Sequence, residues 1–283
     1  MSLFYNFENQ QLLVFTFVIS PGNIMGIITI TSDWGYTDFY QASVKGMIYK
    51  YMPNANIVDI SHSISPFDIV EAAFIIKNSY KSFPDGTVHI IGISSEESIS
   101  HAHSVIFYDN QYFIGCDNGI FSLMFDRKPD KMVELDIILD SSVNTFSSRD
   151  RFVKAAIHLA QAKPMEELGD EKTGLIAKLP FEPSSDKEGI KGIITYIDNF
   201  ENLFTNIGFE LFNKVVSGKK FAIRFNSYEL NKVSSSYADV RPGEIVALFA
   251  SNGMLEIAIN KGNAASLLGM NKLSHVFVRL LDR

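Results

Sequence analysis

The 283-residue chain carries 25 Lys and Arg against 32 Asp and Glu, a net charge of −7, so it lacks the basic excess with which a phosphate-tracking nucleic-acid binder releases counterions. Its one cysteine, Cys116, excludes an intrachain disulfide and a cysteine-built zinc site. The length suffices for one large domain or two ordinary ones, each with a full core.

The apolar stretch Leu12–Ser20 falls short of the ~20 residues of a membrane helix. It also lacks the basic region and small-residue cleavage site of a signal peptide. Residues 1–24 are therefore read as an N-terminal extension, and the chain as cytoplasmic, with no membrane partner.

From residue 25 the pattern alternates. Ile27–Thr31 reads as a buried strand, and Phe39–Tyr51 as a helix with Val44, Met47, Ile48 and Tyr51 at helical spacing, stopped by Pro53. Ile57–Ile60 is a second strand, Asp68–Tyr80 a second helix, and Thr87–Ile93 a third strand after the Pro84-Asp85-Gly86 turn. Such alternation predicts an α/β domain with a mostly parallel sheet over residues 25–180. Within it Ser104–Tyr108 and Gln111–Ile114 form a hairpin about Asp109-Asn110, and Arg149–Ala162 a helix. The polar segment 181–189, with proline and glycine, reads as a linker. Beyond it Gly192–Ile197, Lys220–Phe225, Ile245–Ala250 and Leu255–Asn260 are short and β-rich with little helical periodicity, so residues 190–283 are expected to form a smaller all-β unit, a barrel or a sandwich.

No nucleophile elbow, Walker loop, dinucleotide fingerprint or zincin motif occurs. Polar clusters stand instead at predicted strand ends: Asp33 with Asp38, Asp59 with His62, Asp117 with Asn118, Thr145 to Asp150, Asp198 with Asn202, and Ser251-Asn252-Gly253. Each alone also suits a turn or a helix cap. Asp33 is the most informative, because ligands of open α/β sheets sit beyond the carboxyl ends of strands.

Taken in order, these segments resemble the S-adenosylmethionine hydroxide adenosyltransferases, hydrolase relatives of the fluorinating and chlorinating enzymes. The resemblance rests on Thr31-Ser32-Asp33-Trp34-Gly35, Ile57-Val58-Asp59-Ile60-Ser61-His62, Pro66-Phe67-Asp68, Phe83-Pro84-Asp85-Gly86-Thr87-Val88-His89, Asp117-Asn118-Gly119, Asp198 to Asn202, Leu255-Glu256-Ile257-Ala258 and Gly262-Asn263-Ala264-Ala265. It implies a homotrimer that binds the nucleoside between subunits and takes S-adenosylmethionine as substrate, with no further cofactor and no metal. Asp33 would then hold the ribose hydroxyls, which suits a carboxylate with two acceptor oxygens. Phe67 and Tyr237 would line ribose and adenine, Phe146 would be a further substrate-binding residue, Asn202 would contact adenine, and Asp38 and Asp198 would hold the methionine ammonium. Ser251, Asn252 and the backbone at Ala264 would complete the pocket.

The same resemblance places the water-activating set at Ser94, His101 and Ser147, where hydrolytic members carry aspartate, arginine and histidine. All three differ here. Ser148 matches a serine of the halogenating branch, but Asn252 stands where that branch has arginine. Glu96, Glu97, His101 and His103 offer substitute bases, or form a solvated loop. The expectation is hydrolysis of S-adenosylmethionine at carbon 5′ to adenosine and methionine with non-standard residues; the alternative is a non-catalytic binder of S-adenosylmethionine or adenosine, and behind it a halogenase that uses S-adenosylmethionine.

Overall fold

The computed structural model describes residues 26–96, 98, 100–137 and 145–281; the expected extension 1–24 lies outside them. Four strands make the parallel part of the first sheet: β1 (Ile27–Ser32), β2 (Asn56–Ser61), β3 (Val88–Gly92) and β5 (Gln111–Cys116). The last pairs in a tight hairpin with β4 (His103–Tyr108), and β6 (Lys131–Leu135) and β7 (Gly169–Glu171) extend the sheet antiparallel. The strand order is β2-β1-β3-β5-β4-β6-β7. The chain leaves β1 toward β2 on one side and returns to β3 on the other, so the connection reverses at β1, the place where open α/β sheets form a ligand crevice.

Helices cover both faces. On one, α1 (Tyr40–Tyr51) buries Val44 and Ile48, and α4 (Val153–Ala160) buries Val153, Ala156 and Leu159, against Ile28, Ile30 and Ile90. On the other, α2 (Ile69–Ser79) and α3 (Ile120–Met124) pack on Ile91, Ile106 and Phe113. Asp68 starts α2, its carboxylate accepting from the N–H groups of Val70 and Glu71, donors a helix terminus otherwise leaves open. The helix predicted from Arg149 begins instead as a π-type turn, Ser148–Phe152, and the regular helix ends at Ala160.

The second half is all antiparallel: β9 (Gly189–Ile197), β10 (Leu203–Gly208), β11 (Phe221–Phe225), β12 (Tyr228–Leu230), β13 (Ile245–Phe249), β14 (Met254–Ile259) and β15 (His275–Leu280), in the order β12-β11-β15-β9-β10-β14-β13. This sheet curls into a nearly closed barrel around Ile190, Leu203, Ile223, Ile257 and Val276. Two features depart from expectation. The segment 181–189 is not a bare linker, because β8 (Ser184–Asp186) pairs along β9. The half also holds two α-helices, α5 (Phe209–Val216), which packs Leu211, Phe212, Val215 and Val216 on the barrel at helical spacing, and α6 (Ala264–Leu268); α5 therefore carries a helical period within a half read as all-β, whereas the five residues of α6 are too few for one.

The halves meet at Phe74 of α2, whose ring stacks on Tyr196 at 4.3 Å and meets Phe204 edge-on at 5.9 Å. Lys272 bridges to Asp68 (3.0 Å) and Glu71 (2.7 Å). Among the described residues no helix is long and apolar enough to cross a membrane.

Candidate functional site

Loops from several strand ends converge at the reversal point. After β1, Asp33 turns its Oδ2 onto the backbone N–H of Phe67, 2.8 Å away. That bond holds Phe67 in the left-handed region, φ 64°, an unfavourable place for a bulky residue. The ring is left 68% exposed, so the strain presents an aromatic face instead of burying one. Burial raises the Asp33 carboxyl above its ordinary range; the Phe67 N–H opposes this, and the nearby Glu96 carboxylate adds to it.

The next residue, Trp34, lies flat on Gly92 of β3. A Cβ at Gly92 would sit 2.2 Å from the indole Cζ2, so only glycine fits at this crossing. The indole meets Phe146 edge-on at 5.3 Å and stacks on His62 at 6.2 Å, while Tyr40 meets Phe146 from another side at 5.2 Å. His62 is fully buried and accepts at Nδ1 from the Ser32 hydroxyl, 2.6 Å away. Its Nε2 faces Asp59 at 3.1 Å, off the line of a good hydrogen bond, and Lys45 holds the other Asp59 oxygen at 2.6 Å. Burial lowers the His62 pKa, so the ring is neutral, with its proton on Nε2 toward the carboxylate. The network is tied to the turn that follows Asp33, where the Trp34 N–H meets the Ser32 hydroxyl at 3.5 Å and the Gly35 N–H bonds the His62 carbonyl at 2.8 Å.

Beyond β3 the chain turns at Ser94, φ 45°. Asn118 donates to the carbonyls of Ile93 and Ser94, and the Cys116 thiol reaches the Glu96 carbonyl at 3.4 Å. The buried Ser148 hydroxyl donates to that of Ser95 at 3.2 Å, and the buried His103 donates from Nε2 to the Ser95 carbonyl at 2.9 Å. Arg151 approaches His103 Nδ1 at 3.1 Å, so the His103 ring links the Ser95 loop to the turn Ser148–Phe152. Among the expected catalytic positions, Ser147 adjoins Ser148 and is half-buried, whereas His101 turns its Nδ1 to Ser98 at 3.2 Å in a surface turn. Glu97 lies outside the described residues. Asp38 is exposed just before α1.

A second cluster belongs to the barrel. Asp198 closes its own turn: Oδ1 accepts from the N–H groups of Phe200 and Asn202, and Oδ2 from the Asn202 amide at 3.1 Å. Both the turn reading and the pairing with Asn202 therefore hold in one geometry. Glu201, in the left-handed region, ties this turn to α6 by accepting from Asn263 and from the Ser266 N–H, while its carbonyl takes the Ala265 N–H; Ala264 is thereby brought beside it. Tyr237, 42% exposed, donates its hydroxyl to Glu256 at 2.8 Å. Ser251 is exposed, and Asn252 caps the turn into β14 by accepting from the Met254 N–H. Among the described residues no hydrogen bond, ion pair or ring contact joins this cluster to that of Asp33.

Trp34, Ser95 and Glu256 were not singled out from the sequence as site residues. A tryptophan next to Asp33 and a glutamate inside an apolar strand were the available signals.

Family models described as SAM hydroxide adenosyltransferase N-terminal domain and C-terminal domain match residues 28–169 and 192–277. A protein named (R)-S-adenosyl-L-methionine hydrolase from Thermus thermophilus is 28% identical over 259 residues, 85% of this chain and 94% of its own. One of the same name from Methanocaldococcus jannaschii is 28% identical, covering 90% and 96%. A fluorinase from Nocardia brasiliensis is 29% identical, covering 85% and 91%. The crystal structure of an uncharacterized conserved protein from Thermotoga maritima superposes with a TM-score of 0.82 at 27% identity, covering 89% of this chain and all of that one.

Proposed function

Since the chain belongs to the SAM hydroxide adenosyltransferase family, we propose that it binds S-adenosylmethionine and hydrolyses it at carbon 5′ of the ribose, giving adenosine and methionine. The observation that carries the reading is Asp33 at the β1/β3 crevice. Its Oδ2 is fixed by the Phe67 N–H, while Oδ1 takes no side-chain partner among the described residues, an arrangement suited to a pair of ribose hydroxyls. Phe67, Phe146 and Trp34 supply apolar surface around it, and stacking on an aromatic face is worth ~1–3 kcal/mol per base. Asp198, Asn202, Tyr237, Ser251, Asn252 and Ala264 supply the base and amino-acid contacts. Two separate half-sites, each with exposed aromatics, favour a homotrimer in which one subunit's Asp33 cluster faces the next subunit's barrel cluster.

The reaction converts the sulfonium and water to adenosine, methionine and a proton. Methionine leaves as a neutral thioether, so no acid is needed. The protein's task is to hold water in line with carbon 5′, partly desolvated, and to accept its proton. Ser95 and Ser148, whose hydroxyls meet at 3.2 Å, and their neighbours Ser94 and Ser147 would hold that water; Glu96, on the same loop as Ser94 and Ser95, is the carboxylate available as base. A second reading, a binder without turnover, is favoured by the serines at 94 and 147 and by the pairing of His101 with Ser98. Incubation with S-adenosylmethionine, with adenosine and methionine followed by chromatography and affinity by calorimetry, separates the two. Binding without turnover above an Asp33→Ala control leaves the binder; no binding of any adenosine compound removes both.

A further inference from the structure

Glu256 stands out among the buried groups that the reaction leaves unused. It sits on β14 directly opposite Phe204 of β10 and Leu248 of β13, and Phe204 in turn stands opposite Tyr196 of β9. Directly paired residues of antiparallel strands point to one face, so a carboxylate interrupts an otherwise aromatic and aliphatic row. That face is the one on which Phe74 of α2 packs, opposite the barrel core of Leu255 and Ile257.

The side chain is 0% exposed. One oxygen accepts the Tyr237 hydroxyl at 2.8 Å, and the other, Oε2, has no hydrogen-bond partner among the described residues. Burying a carboxylate so incompletely satisfied is costly, and an apolar side chain would serve stability better at this place. What the carboxylate does supply is a fixed end for Tyr237. The tyrosine begins a short helical turn already locked by a reciprocal cap between Ser236 and Asp239. Backbone cap and side-chain anchor together leave the ring one orientation, with its face still open to a ligand.

We infer that Glu256 is a positioning residue, holding the Tyr237 ring as a rigid platform for the purine. The inference rests on the reading of Tyr237 as an adenine-lining residue. Pre-organising a ring removes an ordering cost on binding, equivalent to about threefold to tenfold in affinity. The role separates from a structural one because the two predict opposite trends in stability.

Full-length wild-type protein, Glu256→Met, Glu256→Gln, Tyr237→Phe and the double variant Tyr237→Phe/Glu256→Met are titrated calorimetrically with adenosine and melted without ligand. Glu256→Met and Tyr237→Phe are each expected to weaken adenosine by about threefold to tenfold, and the double variant no more than either. Glu256→Gln keeps an acceptor and stays within about twofold of wild type, while Glu256→Met melts at or above the wild-type temperature. A Glu256→Met protein that melts lower yet binds adenosine like wild type overturns the inference, as do independent losses that add in the double variant. Should Glu256→Met fail to fold, Tyr237→Phe binding as tightly as wild type overturns it equally. Wild-type protein that binds neither adenosine nor S-adenosylmethionine defeats the nucleoside reading and this inference with it, a pattern distinct from a variant-specific failure.

Discussion

Replacing Asp33 with asparagine changes charge at nearly constant shape. The Asp33 Oδ2 is 2.8 Å from the Phe67 N–H, and an amide oxygen can take that bond over, so the strained Phe67 backbone stays held. The amide nitrogen then occupies the position offered to the ribose, turning an anionic acceptor into a donor that faces hydroxyls. Hydrogen bonds to a charged group contribute about 1.5–3 kcal/mol, and every 1.4 kcal/mol is tenfold. Adenosine should therefore bind about 10- to 150-fold more weakly. Stability should move little, or rise, because burial already disfavours the ionised carboxylate. The assay is calorimetric titration with adenosine, 2′-deoxyadenosine and 3′-deoxyadenosine beside a thermal melt. Wild type should penalise loss of either hydroxyl, and Asp33→Asn should penalise it less. Affinity within threefold of wild type, or undiminished discrimination against the deoxynucleosides, would refute the ribose assignment; a collapse in melting temperature would recast Asp33 as a latch for the Phe67 loop.

Other perturbations test separate parts of the site. Gly92→Ala drives a methyl into the Trp34 indole, whose rigid ring must shift from Phe146 and His62, so denaturant unfolding should show a loss of about 1–3 kcal/mol; a neutral result would mean the indole has room to move. Because the Asp33 carboxyl is raised, adenosine affinity should fall as pH drops through a value above the ordinary carboxylate range. Glu96→Gln removes a like charge and should shift that acid limb to lower pH, more at low salt than at high. Calorimetry across pH reads it, and an unmoved limb assigns the titration to another group. By the same sign, the cost of ionising Asp33 makes its contribution to stability greatest below its unfolded pKa and lost as pH rises through the folded one. Ser94→Asp places a carboxylate where hydrolytic relatives are expected to carry one, at a left-handed position that aspartate tolerates. Turnover of S-adenosylmethionine should rise by about tenfold or more if water activation limits the rate, and single-turnover kinetics showing no gain would place the limit elsewhere.

Much of this protein is written locally. Alternating apolar runs and helical spacings mark β1, α1, α2 and β3, because each of these elements needs its own period of burial; β2 is legible as an apolar run although it stands half-exposed at the sheet edge, and Asp33 at the end of a buried strand marks the crevice. The second half is legible as short strands. Its helices are not: α5 carries a helical period at Leu211, Phe212, Val215 and Val216 but stands among short β-rich runs, and α6, five residues long, is too short to build one. Nor does the spacing of 181–189 disclose β8, a strand whose exposed residues exist as a strand only through pairing with β9.

The site divides along the same line. Ordered motifs suffice to nominate Asp33, Asp198, Asn202 and Tyr237, because their residue types and neighbours are properties of the chain. Only the tertiary structure decides that His62 and Ser32 brace the turn after Asp33, that His101 pairs with Ser98 while Ser148 is buried against Ser95, that Asp198 spends both oxygens on its own turn, and that Glu256 is buried against the Tyr237 hydroxyl. Those facts depend on which strands become neighbours and which face each side chain takes, and register, unlike residue type, is fixed by the whole fold at once.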